Sequence, residues 1–143
     1  NGMVVDFDTN AGGIQSDIAL SFVQGDSNFG QDPNVVAVAY TNNFAGTTST
    51  TLYGIDSSRN ALVRQGGING SPSPNLGTLS TVGSLGVDTS DLVGFDISSG
   101  GATAFASLTV AGEAASKLYS INLASGSATS LGNIGGGEFA ILP

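Results

Sequence analysis

The stretch LYGIDSSRNALVRQG, residues 52–66, lies over LYSINLASGSATSLG, residues 118–132, without a gap. Leu52 meets Leu118, Tyr53 meets Tyr119, Ile55 meets Ile121, Asp56 meets Asn122 and Gly66 meets Gly132. A tyrosine and an isoleucine two residues apart share one face of an extended strand. The Asp or Asn that follows suits a polar turn, and a second short run leads away from it. A further overlay sets VGSLG (82–86) on LGNIG (131–135), with an apolar strand after each, LVGFDI and EFAIL. The repeating unit is therefore four short antiparallel strands.

Outward from this repeat, strand signals recur along the chain, each bounded by Gly, Asn, Asp or Ser. They predict strands near 3–8, 18–23, 34–42, 50–56, 61–65, 78–86, 92–98, 103–110, 117–123, 128–134 and 138–142. Helical periodicity is nearly absent; only GEAASK (112–117) has helix-favouring residues, and it is too short to hold a helix alone. GGINGSPSPNLG (66–77), with its two Ser-Pro steps, reads as a loop excursion. A four-stranded unit suits a β-propeller blade, whose length is about 40–50 residues. LVGFDIS would be its inner strand, TAFASLT the second, KLYSINL the third and ATSLGNI the outer edge. Tyr53, Ile55, Tyr119, Ile121 and Leu123 are expected to pack one unit on the next.

The fold class expected is all-β, with antiparallel four-stranded blade-like repeats in a partial or open β-propeller-like arrangement. It forms one domain, 1–143, made of an N-terminal hairpin (1–31), repeat units 32–86 and 87–135, and a terminal strand (136–143). Closed propellers need at least about four blades, and only two whole units fit here. Sheet edges that seek a partner are the consequence.

Charged residues make up only 10% of the chain, against about 25% in an ordinary soluble domain. Its solubility rests on Ser, Thr, Asn and Gly, a surface typical of secreted or cell-surface β proteins. Eleven carboxylates against three bases give a net charge of −8. That field repels phosphate, so nucleic acid and anionic lipid are poor partners. No apolar run approaches the roughly 18 residues of a membrane span, and no signal peptide is recognisable. With no Cys and no His, disulfides, thiol chemistry, Ser-His-Asp catalysis and imidazole-bound zinc are all excluded.

The segments DPNVVAVAYTNN (32–43), TTLYGIDSS (50–58), GTLSTVGSLGVDTSDLVGFDIS (77–98) and KLYSINLASGSATSLGNIGGGE (117–138) carry a resemblance. In them the chain resembles the bacterial family called domain of unknown function 4394. The resemblance implies propeller-like repeats and an extracellular setting, and brings no catalytic residues with it. Family domains are usually longer, with further repeats upstream.

Acid–base chemistry would fall to carboxylates, and a glycosidase would need a facing pair. Asp56, Asp96, Glu113 and Glu138 are available, but no spacing selects two of them. Asp88-Thr89-Ser90-Asp91 reads as a turn before LVGFDI, with side chains bonding their own backbone. In DFDTNAGGIQSD (6–17), Asp6, Asp8, Asn10 and Asp17 fall on ligand positions of an EF-hand loop, while Ala11 replaces its glycine and Ile14 a further ligand. What remains is a DxDxN cluster, a candidate calcium set; the competing reading is a polar turn between MVVDFD and IALSFV. GDSNFGQDPN (25–34), with Asp26, Asn28 and Asp32, is a second acidic loop of the same kind.

The function expected is a non-enzymatic extracellular or cell-surface module that self-associates through exposed β edges, as an oligomer or filament. Surface polysaccharide is a further candidate partner; nucleic acid and membrane insertion are not expected. The alternative is a calcium- or carbohydrate-binding propeller module using Tyr40, Tyr53, Phe44 or Phe29 as a platform, and behind it a carboxylate-dependent hydrolase.

Overall fold

The computed structural model describes residues 18–101 and 103–135, with the backbone alone of 5–8 and 13–16. Alternating apolar positions and Gly- or Asn-rich turns produce two antiparallel meanders. In the first, β4 (Val35–Tyr40), β5 (Leu52–Asp56), β6 (Ala61–Gln65) and β7 (Thr78–Ser84) pair in order. In the second, β8 (Thr89–Ile97), β9 (Ala104–Val110), β10 (Ser116–Ile121) and β11 (Ala128–Gly135) do the same. The first meander falls within 32–86 and the second within 87–135. The protein is all-β, with two main sheets of five and four strands and a separate two-stranded pair near the N-terminus, and among the described residues no sheet closes into a barrel and no ring of blades forms.

The N-terminal region departs from expectation. The strand expected near 3–8 is β1 (Val5–Asp8), but its partner is β2 (Gly13–Ser16) rather than IALSFV. IALSFV supplies only β3 (Ser21–Phe22), which joins β7 in parallel as the fifth strand of the first sheet. The reason lies in backbone donors: Ser21 and Val23 give their N–H groups to the carbonyls of Gly77 and Leu79, both at 2.9 Å. An isolated run of alternation cannot reveal that partner. The strand expected at 138–142 lies outside the described residues. The 66–77 excursion contains two short 3-10 turns, Ile68–Gly70 and Pro74–Leu76.

The two sheets share one core. Ala39, Ile55 and Leu62 from the first sheet meet Val93, Phe95, Ile97, Ala104, Ala106, Leu108, Tyr119 and Ile121 from the second, with Leu85 from the link between them. Tyr53 and Leu123 pack against it, so the repeated Tyr and Ile residues do join one unit to the other. Each fully buried aliphatic side chain contributes about 1.5–3 kcal/mol. A smaller cluster, Phe22, Val63 and Leu79, joins β3, β6 and β7 of the first sheet, with Leu20 and Val35 packed against it.

Polar contacts lock the sheets together at both ends. Asn34 and Asn43, which flank β4, donate to Asp91 Oδ1 (2.9 Å) and to the Ile97 carbonyl (3.1 Å), so β4 and β8 lie side by side in the same direction. The Leu85 carbonyl accepts the Ala128 amide at 3.0 Å. Beside that bond, Gly83 lies backbone to backbone against Ser125 and Gly126, leaving no room for a Cβ at either glycine.

The sequence repeat survives as a true structural repeat. In the β5–β6 hairpin Ile55 stands opposite Leu62 and Tyr53 opposite Arg64; in β10–β11 Ile121 stands opposite Ala128 and Tyr119 opposite Ser130. Asp56 Oδ1 accepts the Arg59 amide, and Asn122 Oδ1 accepts the amides of Ala124 and Ser125. The matched acid and amide therefore close equivalent turns. Their places in the sheets differ, however: β5 and β6 are second and third in their meander, β10 and β11 third and fourth.

Candidate functional site

The candidate calcium residues Asp6 and Asp8 sit at alternate positions of β1, opposite Gln15 and Gly13. Their side chains, and Asn10 and Asp17 entirely, lie outside the described residues. Among the described residues no group of three carboxylates is placed to hold a metal ion.

The second acidic loop is committed to structure. Asp26 Oδ2 accepts the Thr81 amide at 2.6 Å, and Oδ1 accepts the Thr81 hydroxyl at 2.7 Å and the Asn28 amide at 2.9 Å. Asn28 Nδ2 donates to the same Thr81 hydroxyl at 2.9 Å. Partial burial pushes the Asp26 pKa up, but the bonds from Asn28 and Thr81 outweigh it and hold the carboxyl below its ordinary value. Both oxygens are occupied by the protein's own donors.

The Asp88–Asp91 stretch is not a self-bonded turn. Thr89, Ser90 and Asp91 belong to β8, and both acids reach to the other sheet. Asp91 Oδ1 accepts from the Ser57 hydroxyl at 2.6 Å and from Asn34 Nδ2 at 2.9 Å; Asp88 Oδ1 accepts from Asn60 Nδ2 at 3.0 Å. Asn60 Oδ1 in turn accepts the Thr89 amide at 2.8 Å. Local bonds are confined to Thr89, whose hydroxyl donates to the Ser90 carbonyl as well as to that of Thr109, and to Ser90, whose hydroxyl accepts the Leu92 amide.

Asp56, Asp96 and Glu113 have separate partners. Asp56 is fully buried and receives the Ser58 hydroxyl at 2.8 Å, while its Oδ2 has no protein partner. Asp96 accepts its neighbouring Ile97 amide. Glu113 pairs with Lys117 at 2.7 Å on the surface; that contact raises the lysine pKa, led by the hydrogen bond that Lys117 donates to Glu113. Glu138 lies outside the described residues.

What the topology does expose is strand edges, and they are not alike. The β7 edge is closed by β3, and beyond it the Thr81 amide is taken by Asp26. The β8 strand bears Asp91 and Asp96, charges that discourage strand addition. By contrast, β11 (ATSLGNIG) carries no charge, and no described strand pairs with its outer edge; β4 (VVAVAY) is also uncharged but has β8 alongside it. On β11, Leu131 is 53% and Ile134 46% exposed. Sequence reading anticipates open edges, but not which of them are guarded, because the guards arrive from distant segments.

These features define an all-β protein of two main sheets in which Asp26, Asp88 and Asp91 clamp distant segments together and, among the described residues, the outer edge of β11 is uncharged and unpaired. The chain belongs to the family domain of unknown function DUF4394, whose model matches residues 2–141. No curated protein and no solved structure matches it.

Proposed function

We propose that this chain is a non-enzymatic extracellular or cell-surface module that associates with copies of itself by β-strand addition. The supporting observation is β11, an uncharged edge strand of eight residues with Leu131 and Ile134 turned to solvent. Pairing such an edge uses backbone hydrogen bonds that need little side-chain specificity. In a molecule of net charge −8, copies approach most readily where neither presents a carboxylate. The two meanders are best read as propeller-type blades in an open arrangement. Four-stranded order, side-by-side first strands running the same way, and a face-to-face core all support that reading. Edge contacts repeated head to tail give a filament.

Sedimentation across a wide concentration range tests the self-association. Wild-type protein is expected to form dimers or larger species, and Leu131→Lys combined with Ile134→Lys to remain monomeric with unchanged circular dichroism. A wild-type monomer at the highest concentration would end this reading.

A further inference from the structure

Charge is segregated along the strands. Exposed Asp32, Asp88 and Asp91 lie where β4 and β8 begin. The loops at the far ends of those strands, 41–51 and 98–101, carry no charged side chain, and neither does the 66–77 excursion. These three segments meet. Asn43 Nδ2 donates to the Ile97 carbonyl at 3.1 Å, and a Cβ at Gly101 would touch Thr41 and Asn42. The Asn69 amide donates to Thr51 Oγ1 at 2.9 Å. Each segment is also braced. Asn42 Nδ2 and Thr47 Oγ1 donate to the Ser49 carbonyl, both at 3.2 Å. Gln65 Nε2 donates to the Pro74 carbonyl at 3.0 Å, and the Gly101 amide to the Ser98 carbonyl at 2.7 Å.

We propose that this uncharged loop end binds a neutral polysaccharide. At a net charge of −8 the molecule repels an acidic polymer, and a basic one is drawn to the end that carries Asp32, Asp88 and Asp91. A chain of neutral sugars feels neither bias, and its hydroxyls both donate and accept hydrogen bonds. The exposed side chains of the loops match that chemistry, since the Asn69 amide and the Thr48, Ser71 and Ser73 hydroxyls also do both. Phe44, 52% exposed, and Ile68, 60% exposed, offer apolar surface to the C–H faces of sugar rings. Asn43 precedes Phe44 and Asn69 follows Ile68. Hydrogen-bonding and apolar groups therefore alternate, as they do around a pyranose ring, whereas a protein interface gathers its apolar groups into a central core. Bracing holds the loops in place before a ligand arrives, which lowers the ordering cost of binding. The inference is independent of the β11 contact.

The probes are hydroxyethyl cellulose, galactomannan and dextran, each cast into a native gel, with anionic polygalacturonate as the control. The whole chain is expected to be retarded by at least one neutral polymer and not by polygalacturonate. Calorimetry with the retarding polymer should give the same affinity at low and high salt, because no ion pair is involved. Phe44→Ala and Asn69→Asp, both at exposed positions, should each weaken that affinity about tenfold with unchanged circular dichroism. Retardation by none of the three polymers, or affinity indifferent to both variants, would overturn the proposal. Binding that fades with salt, or that is confined to polygalacturonate, would overturn it too. So would a wild-type dimer dispersed by Phe44→Ala in a chain that ignores every polymer, which would assign the surface to a second copy.

Discussion

The carbonyl of Leu85 accepts the amide of Ala128 at 3.0 Å, a backbone hydrogen bond that ties the link following β7 to β11 of the second sheet. It forms only because Gly83 and Gly126 let two main chains touch beside it. Side-chain packing and backbone bonding thus unite the sheets at the same place.

Gly83→Ala is expected to destabilise by about 2–4 kcal/mol, since the new methyl meets the Ser125 backbone and not a yielding side chain. Gly126→Ala should cost at least as much, because its φ of 82° also disfavours a Cβ. Gly100→Ala, where nothing lies within 4 Å, should stay within about 0.5 kcal/mol. Urea denaturation distinguishes the three.

Ile55 and Leu108 are fully buried, on different sheets and in one core. Ile55→Ala and Leu108→Ala should each cost about 2–5 kcal/mol. Because the core is shared, each variant should lower a single transition seen alike by far-ultraviolet dichroism and by tyrosine near-ultraviolet signal. Separate transitions for the two probes would mean that the sheets fold independently.

Asp26 makes acid sensitivity specific to one loop. Its folded-state pKa is held below the unfolded one, so its stabilisation is complete above the unfolded value and fades as pH falls through the folded value. Asp26→Ala should lose about 1–2 kcal/mol at neutral pH, and the gap from wild type should narrow below about pH 4, the unfolded carboxylate range. Hydrogen exchange should show the loss first at Thr81.

Asn60 adopts φ 50° and bonds both Asp88 and the Thr89 amide. Asn60→Gly keeps the turn conformation but loses both bonds, so it should cost about 1–2 kcal/mol. Asn60→Ala adds strain and should cost about 1 kcal/mol more. Equal losses would show that the backbone conformation contributes nothing.

Much of the fold is legible locally. Tyr53, Ile55, Tyr119 and Ile121 declare strands by alternation, and Asp56 and Asn122 declare the turns that end them. The absence of His and Cys excludes whole classes of catalysis. The acids are another matter: Asp26, Asp88 and Asp91 look alike in the sequence, as candidates for ligands or turn formers. Their partners Thr81, Asn60, Ser57 and Asn34 are remote along the chain, so their role as clamps is invisible before folding.

Composition and period-two patterning by themselves determined an all-β chain of repeated four-stranded units, because strand geometry depends on neighbours two residues apart. Only tertiary structure decided that β3 and Asp26 close one edge, that β8 lies alongside β4, and that among the described residues the outer edge of β11 is left unpaired. An edge is a relation between distant segments, and no local pattern encodes which segment will lie beside it.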